Sequence, residues 1–123
     1  MNQDAPEFLF RVLRHDGIPE PHYDLLIETS RKARVPTWRL PVWPITGATR
    51  AIRLEDHRRH YLQYSGPISG NRGHVRGVEF GTHRTRRARM HWRVEFHSHS
   101  AIRGCELKRL KGREWEATPI TYR

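Results

Sequence analysis

"MHWRVEF", residues 90–96, sets Met90, Trp92, Val94 and Phe96 on one side of the chain and His91, Arg93 and Glu95 on the other. Successive side chains of a strand point to opposite faces, so this spelling predicts a β-strand with one face in a core and one in water. Shorter versions recur at Phe8, Phe10 and Val12, at Tyr23, Leu25 and Ile27, and over Ala51 to Leu54, Val75 to Phe80, Glu106 to Leu110 and Trp115 to Ile120. Gly and Pro separate these bursts, and no stretch holds a 3.6-residue period for long. The expected fold is therefore mostly β: a small closed or partly open β-barrel with short helical turns.

The intervals read as connections. "RKARVP" and "PVWPITG" carry three prolines within nine residues, which removes ladder donors and predicts a surface loop. "SGPISGNRGHVRG" is rich in Gly, so its backbone can turn sharply or approach a ligand closely. "GTHRTRRARMHW" reads as a basic hairpin tip leading into the strand at 90–96.

At 123 residues the chain is long enough for one core and too short for two, so a single domain over residues 1–123 is expected. Its 23 Lys and Arg against 13 Asp and Glu give a formal charge of +10, with arginine greatly outnumbering lysine. The guanidinium fork matches phosphate, and the arginines recur among aromatics and glycines instead of forming one tail. That pattern points to nucleic acid ahead of simple solubility or anionic lipid. The segment Thr82 to Arg89, with Arg84, Arg86 and Arg87, is the first candidate for sequence-independent contact with the backbone.

Cys105 is the single cysteine and no C-x-x-C pair occurs, which excludes an internal disulfide and a zinc knuckle and favours a reducing compartment. No apolar run approaches the roughly twenty residues of a membrane span, and "MNQDAPEF" lacks the basic and apolar regions of a signal peptide. A soluble, cytoplasmic protein without a membrane partner is the expectation.

Chemistry concentrates in "HDGIPEPHYDLLIE", residues 15–28. If Tyr23, Leu25 and Ile27 face the core, His22, Asp24, Leu26 and Glu28 take the opposite face. His22 and Asp24 then lie roughly 6–7 Å apart, a spacing from which an imidazole and a carboxylate converge on one cation. His15, beyond a turn containing Gly17, Pro19 and Pro21, can fold back as a third ligand. Two imidazoles and a carboxylate suit Zn²⁺, Mn²⁺ or Fe²⁺. The same residues also read as a solvent-facing polar strand edge. In "LEDHRRHYLQY", His57 and Tyr61 are neighbours if the segment makes a helical turn, and with nearby arginines they suit phosphate binding and proton donation. The plainer reading there is a charged turn. "HSHS", with His97 and His99, has the spacing of a ligand pair but no acid, and exposed histidines are expected.

Four motifs in order, "HDGIPEPHYDLLIE", "TWRLP", "RLEDHRRHYLQYSG" and "SGNRGHVRGVEFG", resemble the 3'-phosphoesterase domain of bacterial DNA ligase D, which also occurs as small stand-alone proteins. The family pattern reads H-D-x-x-x-x-H-Y-D-x-R-L-E, then S-W-x-x-P, then V-E-D-H-x-x-x-Y, then a Gly-rich stretch; the likeness runs from about His15 to Gly81, and "ELKRLKGREWEATPI" resembles the closing strands. The resemblance implies a compact β-barrel that uses Mn²⁺, with Zn²⁺ or another divalent cation as substitutes, to trim DNA 3' ends. A 3'-phosphate or terminal ribonucleotide is removed, leaving a hydroxyl for a DNA ligase or polymerase partner. By position it implies His15, His22 and Asp24 as metal ligands and His57 with Tyr61 as the phosphate-contacting and catalytic pair.

The chain departs from that pattern in several places. Leu26 stands where the family has arginine, the loop from His15 to His22 is one residue longer, and Arg50 or Arg53 takes the place of an upstream arginine. Arg72 stands where the family often has tyrosine and can supply the charge lost at Leu26. The alternative from another class is a catalytically weakened nucleic-acid-binding domain that holds DNA ends for a partner.

Overall fold

A computed structural model describes residues 7–97 and 100–122. It contains nine strands: β1 (Phe8–Asp16), β2 (His22–Ile27), β3 (Thr37–Leu40), β4 (Thr49–Arg53), β5 (Gly66–Pro67), β6 (His74–Ala88), β7 (His91–Phe96), β8 (Gly104–Lys111) and β9 (Glu114–Ile120). One 3₁₀ turn, Arg59–Leu62, interrupts them. Every ladder is antiparallel, in the order β1-β2-β3-β4-β9-β8-β7-β6-β5, and β6 also pairs with β1. The hydrogen-bonded ladder thus closes on itself as a ring, leaving β5 as a short addition beside β6. No described helix is long and apolar enough to cross a membrane.

The alternation predicted from sequence fills the inside of this ring. Phe10, Val12, Leu25, Ile27, Trp38, Leu40, Trp92, Val94, Phe96 and Trp115 form one buried cluster. Within it the Trp38 ring meets Trp92 and Trp115 edge-on, with centroids 4.8 and 5.4 Å apart. Aromatic pairs of this kind add to the area term that drives burial. Met90 does not join them: it lies in the β6–β7 turn, half exposed at 50%.

Two sequence expectations are corrected. Thr37–Leu40, between the prolines of the supposed loop, is the strand β3, with Asp24 opposite Arg39 and Leu25 opposite Trp38. The prolines lie at its ends, where no ladder donor is lost. Residues 82–88 are not a hairpin tip but the second half of β6, paired with β7 from His83↔Phe96 to Ala88↔His91. Only Arg89 and Met90 turn the corner.

A second, smaller cluster covers the outside. Leu13, Leu26, Val35, Leu62 and Val75 pack there, with Tyr61, Tyr64 and Ile68 against them. Strand β2 is consequently buried on both faces. Two arginines fasten the overlying 3₁₀ segment. Arg11, almost fully buried, donates from Nη1 to the carbonyls of Tyr61 (3.1 Å) and Tyr64 (2.6 Å) and from Nη2 to Ser65 Oγ (2.8 Å). Arg59 pairs with the buried Glu28 carboxylate and donates to the carbonyls of Ser30 and Ala33. Gly77 makes room for the first clamp, since a Cβ there would lie 2.5 Å from Arg11 Nη2.

Candidate metal centre

Register decides which side chains meet. His15 pairs with His22 and Leu13 with Asp24 across β1 and β2, so the two imidazoles and the carboxylate share the outer face. The candidate ligand atoms of His15, His22 and Asp24 all lie within 4.8 Å of one another. His22 and Asp24 are only 6% and 3% exposed, which corrects the solvent-facing reading of that strand edge. The cause is the second cluster: its side chains and the 3₁₀ segment enclose the outer face of β2.

The proton positions follow from the neighbours. A carbonyl only accepts, so the His22 Nδ1–H donates to the Glu20 carbonyl (2.9 Å) and the His15 Nε2–H donates to the Arg72 carbonyl (2.8 Å). His22 Nε2 and His15 Nδ1 are left as the free positions of the two rings, as in metal-binding histidines whose other nitrogen is held by a hydrogen bond that orients the ring. His22 Nε2 faces Asp24 Oδ1 at 3.4 Å, yet the geometry makes no hydrogen bond and both atoms are buried without a hydrogen-bond partner among the described residues. With a neutral His22 ring these are two lone pairs held against each other away from water, which is costly unless a proton on Nε2 or a metal cation lies between them. Burial pushes the Asp24 carboxyl upward, but His22 and then His57 outweigh it and hold it down at about 2. It is an anion throughout the neutral range. On these observations the donor set fits a divalent cation of the Mn²⁺ or Zn²⁺ type.

The Gly-rich loop contributes through its backbone. Gly73, at φ +77°, crosses the β1–β2 turn so closely that a Cβ would lie 2.1 Å from the Asp16 carbonyl. That close crossing carries the Arg72 carbonyl onto His15. The Arg72 side chain, exposed, bonds back to the Ser69 carbonyl at 2.7 Å.

His57 reaches the trio from the other side. Its backbone forms a bridge with Val35, its Nδ1–H donates to the Glu55 carbonyl (3.2 Å), and its Nε2 lies 3.7 Å from Asp24 Oδ2. The turn that follows brings the Tyr61 ring to 5.7 Å from that of His57, as the spacing predicts for a helical turn. A cavity of about 370 Å³ opens over these groups, lined by His15, Asp24, His57 and Tyr61. Its walls also carry Arg34, Arg39, Arg58 and Arg72. Among the described residues none of these four arginines is ion-paired: Arg34 donates only to the Asp56 carbonyl, and Arg58 lies over the Tyr61 ring.

The remaining sequence candidates fall elsewhere. Arg50 lines a neighbouring hollow and meets Glu114 at 3.7 Å on the surface. Arg53 turns to the inner side, where its guanidinium lies 4.6 Å from the Trp38 ring centroid and pairs with Asp56. Arg84, Arg86 and Arg87 line a separate groove with Glu28 and His83. His97 is exposed and donates to Glu7, while His99 lies outside the described residues. Arg34, Arg39 and Arg58 were not visible as site residues in the sequence. Arg58 had a local signal beside His57; the other two depend on non-local pairing. Comparison with protein-family models and with curated proteins returns no match.

Proposed function

We propose that the chain is a divalent-cation-dependent phosphoesterase acting on nucleic-acid 3' ends, releasing a 3'-phosphate or a terminal ribonucleotide. The observation that carries this reading is the buried pair His22 Nε2 and Asp24 Oδ1, neither atom with a hydrogen-bond partner, beside His15; Asp24 and His15 line a cavity walled by four arginines that have no ion pair among the described residues. Asp24, His22 and His15 would hold the cation. Once bound, it would supply polarisation of a phosphoryl oxygen and a lowered pKa for a water molecule.

The chain's own groups supply the rest. Arg34, Arg39, Arg58 and Arg72 balance the charge of the phosphoryl oxygens, which lets a polyanionic end approach the Asp24 carboxylate. Water attacks phosphorus and the bond from phosphorus to the 3' oxygen breaks. His57, as the imidazolium with its Nδ1 proton on the Glu55 carbonyl, gives its Nε2 proton to the departing oxygen, and a proton of the attacking water replaces it. The Tyr61 hydroxyl orients the phosphate. The product is a 3'-hydroxyl, the group that a ligase or polymerase consumes.

One observation favours the second reading, an end-holding domain without turnover. Leu26 occupies the position of the family's arginine, and it is wholly buried. The deciding experiment compares the native chain with Asp24→Ala on a primer ending in a 3'-phosphate or a single ribonucleotide, with and without Mn²⁺. Metal-dependent trimming that is lost in Asp24→Ala supports the phosphoesterase. Tight, salt-sensitive binding without turnover supports the end-holding domain.

A further inference from the structure

Beside the cavity of the trio lies a second hollow, of about 240 Å³. Strand pairing explains its position. Asp24 on β2 is opposite Arg39 on β3, and Arg39 is opposite Ile52 on β4, so the three share the outer face. Two residues along each strand come Pro41 and Arg50, which with Glu20, Pro21 and Ile52 make the lining. Arg39 stands in the walls of both this hollow and the cavity of the trio, and His22 forms part of the second lining. The two spaces are therefore adjacent subsites on one surface.

The chemistry of the second hollow differs from that of the first. Pro21, Pro41 and Ile52 give it an apolar share of lining, beside the exposed Glu20, Arg39 and Arg50 and the buried His22. Arg39 is exposed and has no hydrogen-bond or ion-pair partner among the described residues. Arg50 has only the exposed 3.7 Å contact with Glu114, the kind of surface pair that is worth little and is readily exchanged for another anion. A hollow that combines apolar side chains with two guanidinium groups fits a flat, uncharged body carrying phosphates. In a chain carrying +10, that body is a nucleoside within a polynucleotide.

We infer that this hollow is a nucleoside subsite: it holds the nucleoside attached to the phosphate at His15, His22 and Asp24, with Arg39 between the two phosphates and Arg50 toward the 5' one. The inference rests on the phosphoesterase reading and assigns that site a preference for nucleotides over simple phosphate esters. Glu20 at the rim offers a carboxylate acceptor to base or sugar donors.

The test is an NMR titration that needs no turnover. The native chain, with its isoleucine methyls labelled, is titrated with thymidine 3',5'-bisphosphate, with the abasic deoxyribose 3',5'-bisphosphate and with inorganic phosphate. The Ile52 methyl is expected to shift with the nucleotide and not with phosphate, and Ile52→Asp should weaken nucleotide binding about tenfold more than it weakens phosphate binding. Ile52→Ser serves if the aspartate variant fails to fold, and the methyl shift in the native chain needs no variant. An Ile52 methyl that stays still with the nucleotide, or an abasic probe that binds as tightly, overturns the subsite. Turnover of a 3'-phosphorylated primer with Ile52 silent removes the subsite alone. Methyl shifts without any turnover remove the hydrolytic reading and leave the nucleoside site standing.

Discussion

Leu25 and Leu26 are neighbours in β2, both wholly buried, yet they belong to opposite regions of the molecule. Leu25 points into the ring with Val12, Trp38 and Trp92, in a cluster built almost wholly of apolar side chains. Leu26 points outward into a small cluster with Leu13, Leu62 and Val75, and two residues away on its face stands Asp24. The inner region leaves single polar atoms without a hydrogen-bond partner, among them Trp38 Nε1 and Arg53 Nε, but no imidazole–carboxylate pair. The outer one keeps a buried carboxylate and imidazole whose facing atoms have no partner. Polar groups left in that condition are expensive, and among the described residues only the outer face sets an imidazole nitrogen and a carboxylate oxygen in that condition against each other, the arrangement a cation would relieve.

The contrast can be tested by substituting the two leucines. Leu25→Ala should cost about 3 kcal/mol of stability, because a closed core relaxes poorly around a lost side chain, and urea denaturation measures it. Turnover per folded molecule should not change, since nothing the site uses touches that position. Leu26→Arg, which restores the residue of the resembled family, should cost about 2 kcal/mol by driving a charge into the outer cluster. It should not raise turnover, because Arg34, Arg39, Arg58 and Arg72 already wall the cavity. A gain in turnover with stability intact would mean that position 26 belongs to the phosphate site after all.

A smaller effect separates the regions by pH. His83 is buried where β6 passes from β1 to β7, opposite Phe8 and Phe96, and its ring bonds the Glu28 carbonyl (2.8 Å) and Thr85 Oγ1 (2.7 Å). Burial depresses its pKa below the ordinary value, and the hydrogen bond to Glu28 only partly opposes this. A depressed folded-state pKa gives a contribution that is fully present above the unfolded value of about 6.5 and lost as pH falls below it. Thermal stability should therefore decline from neutral pH toward pH 5, and His83→Gln should remove that part of the slope. A slope unaltered by His83→Gln would assign the acid sensitivity to other groups.

Legibility of the fold followed the same division. The inner face could be read directly, since Phe10, Val12, Leu25, Ile27, Trp92, Val94 and Phe96 repeat every second residue along strands that proved real. Strand β3 was hidden because Pro36 and Pro41 bracket it, and the second half of β6 because polar residues occupy both of its faces. The outer cluster was unreadable for a different reason: Leu13, Leu26, Val35, Leu62 and Val75 are scattered along the chain, and only the ring brings them together. His15, His22 and Asp24 were legible as a candidate set because strand periodicity fixes two of them locally. That they are buried was not, because the cover comes from residues 54–75. Arg39 depended on the Asp24↔Arg39 register, which no local pattern encodes.

The measurement that bears most directly on the trio is Mn²⁺ binding to the native chain and to Asp24→Ala, followed by electron paramagnetic resonance of free Mn²⁺ and by the melting temperature of each protein. The account predicts saturable binding by the native chain, with stabilisation of about 2.7 kcal/mol at a hundredfold excess over Kd, and neither effect in Asp24→Ala. Equal Mn²⁺ binding by the two proteins, or no stabilisation of the native chain by any divalent cation, would contradict it.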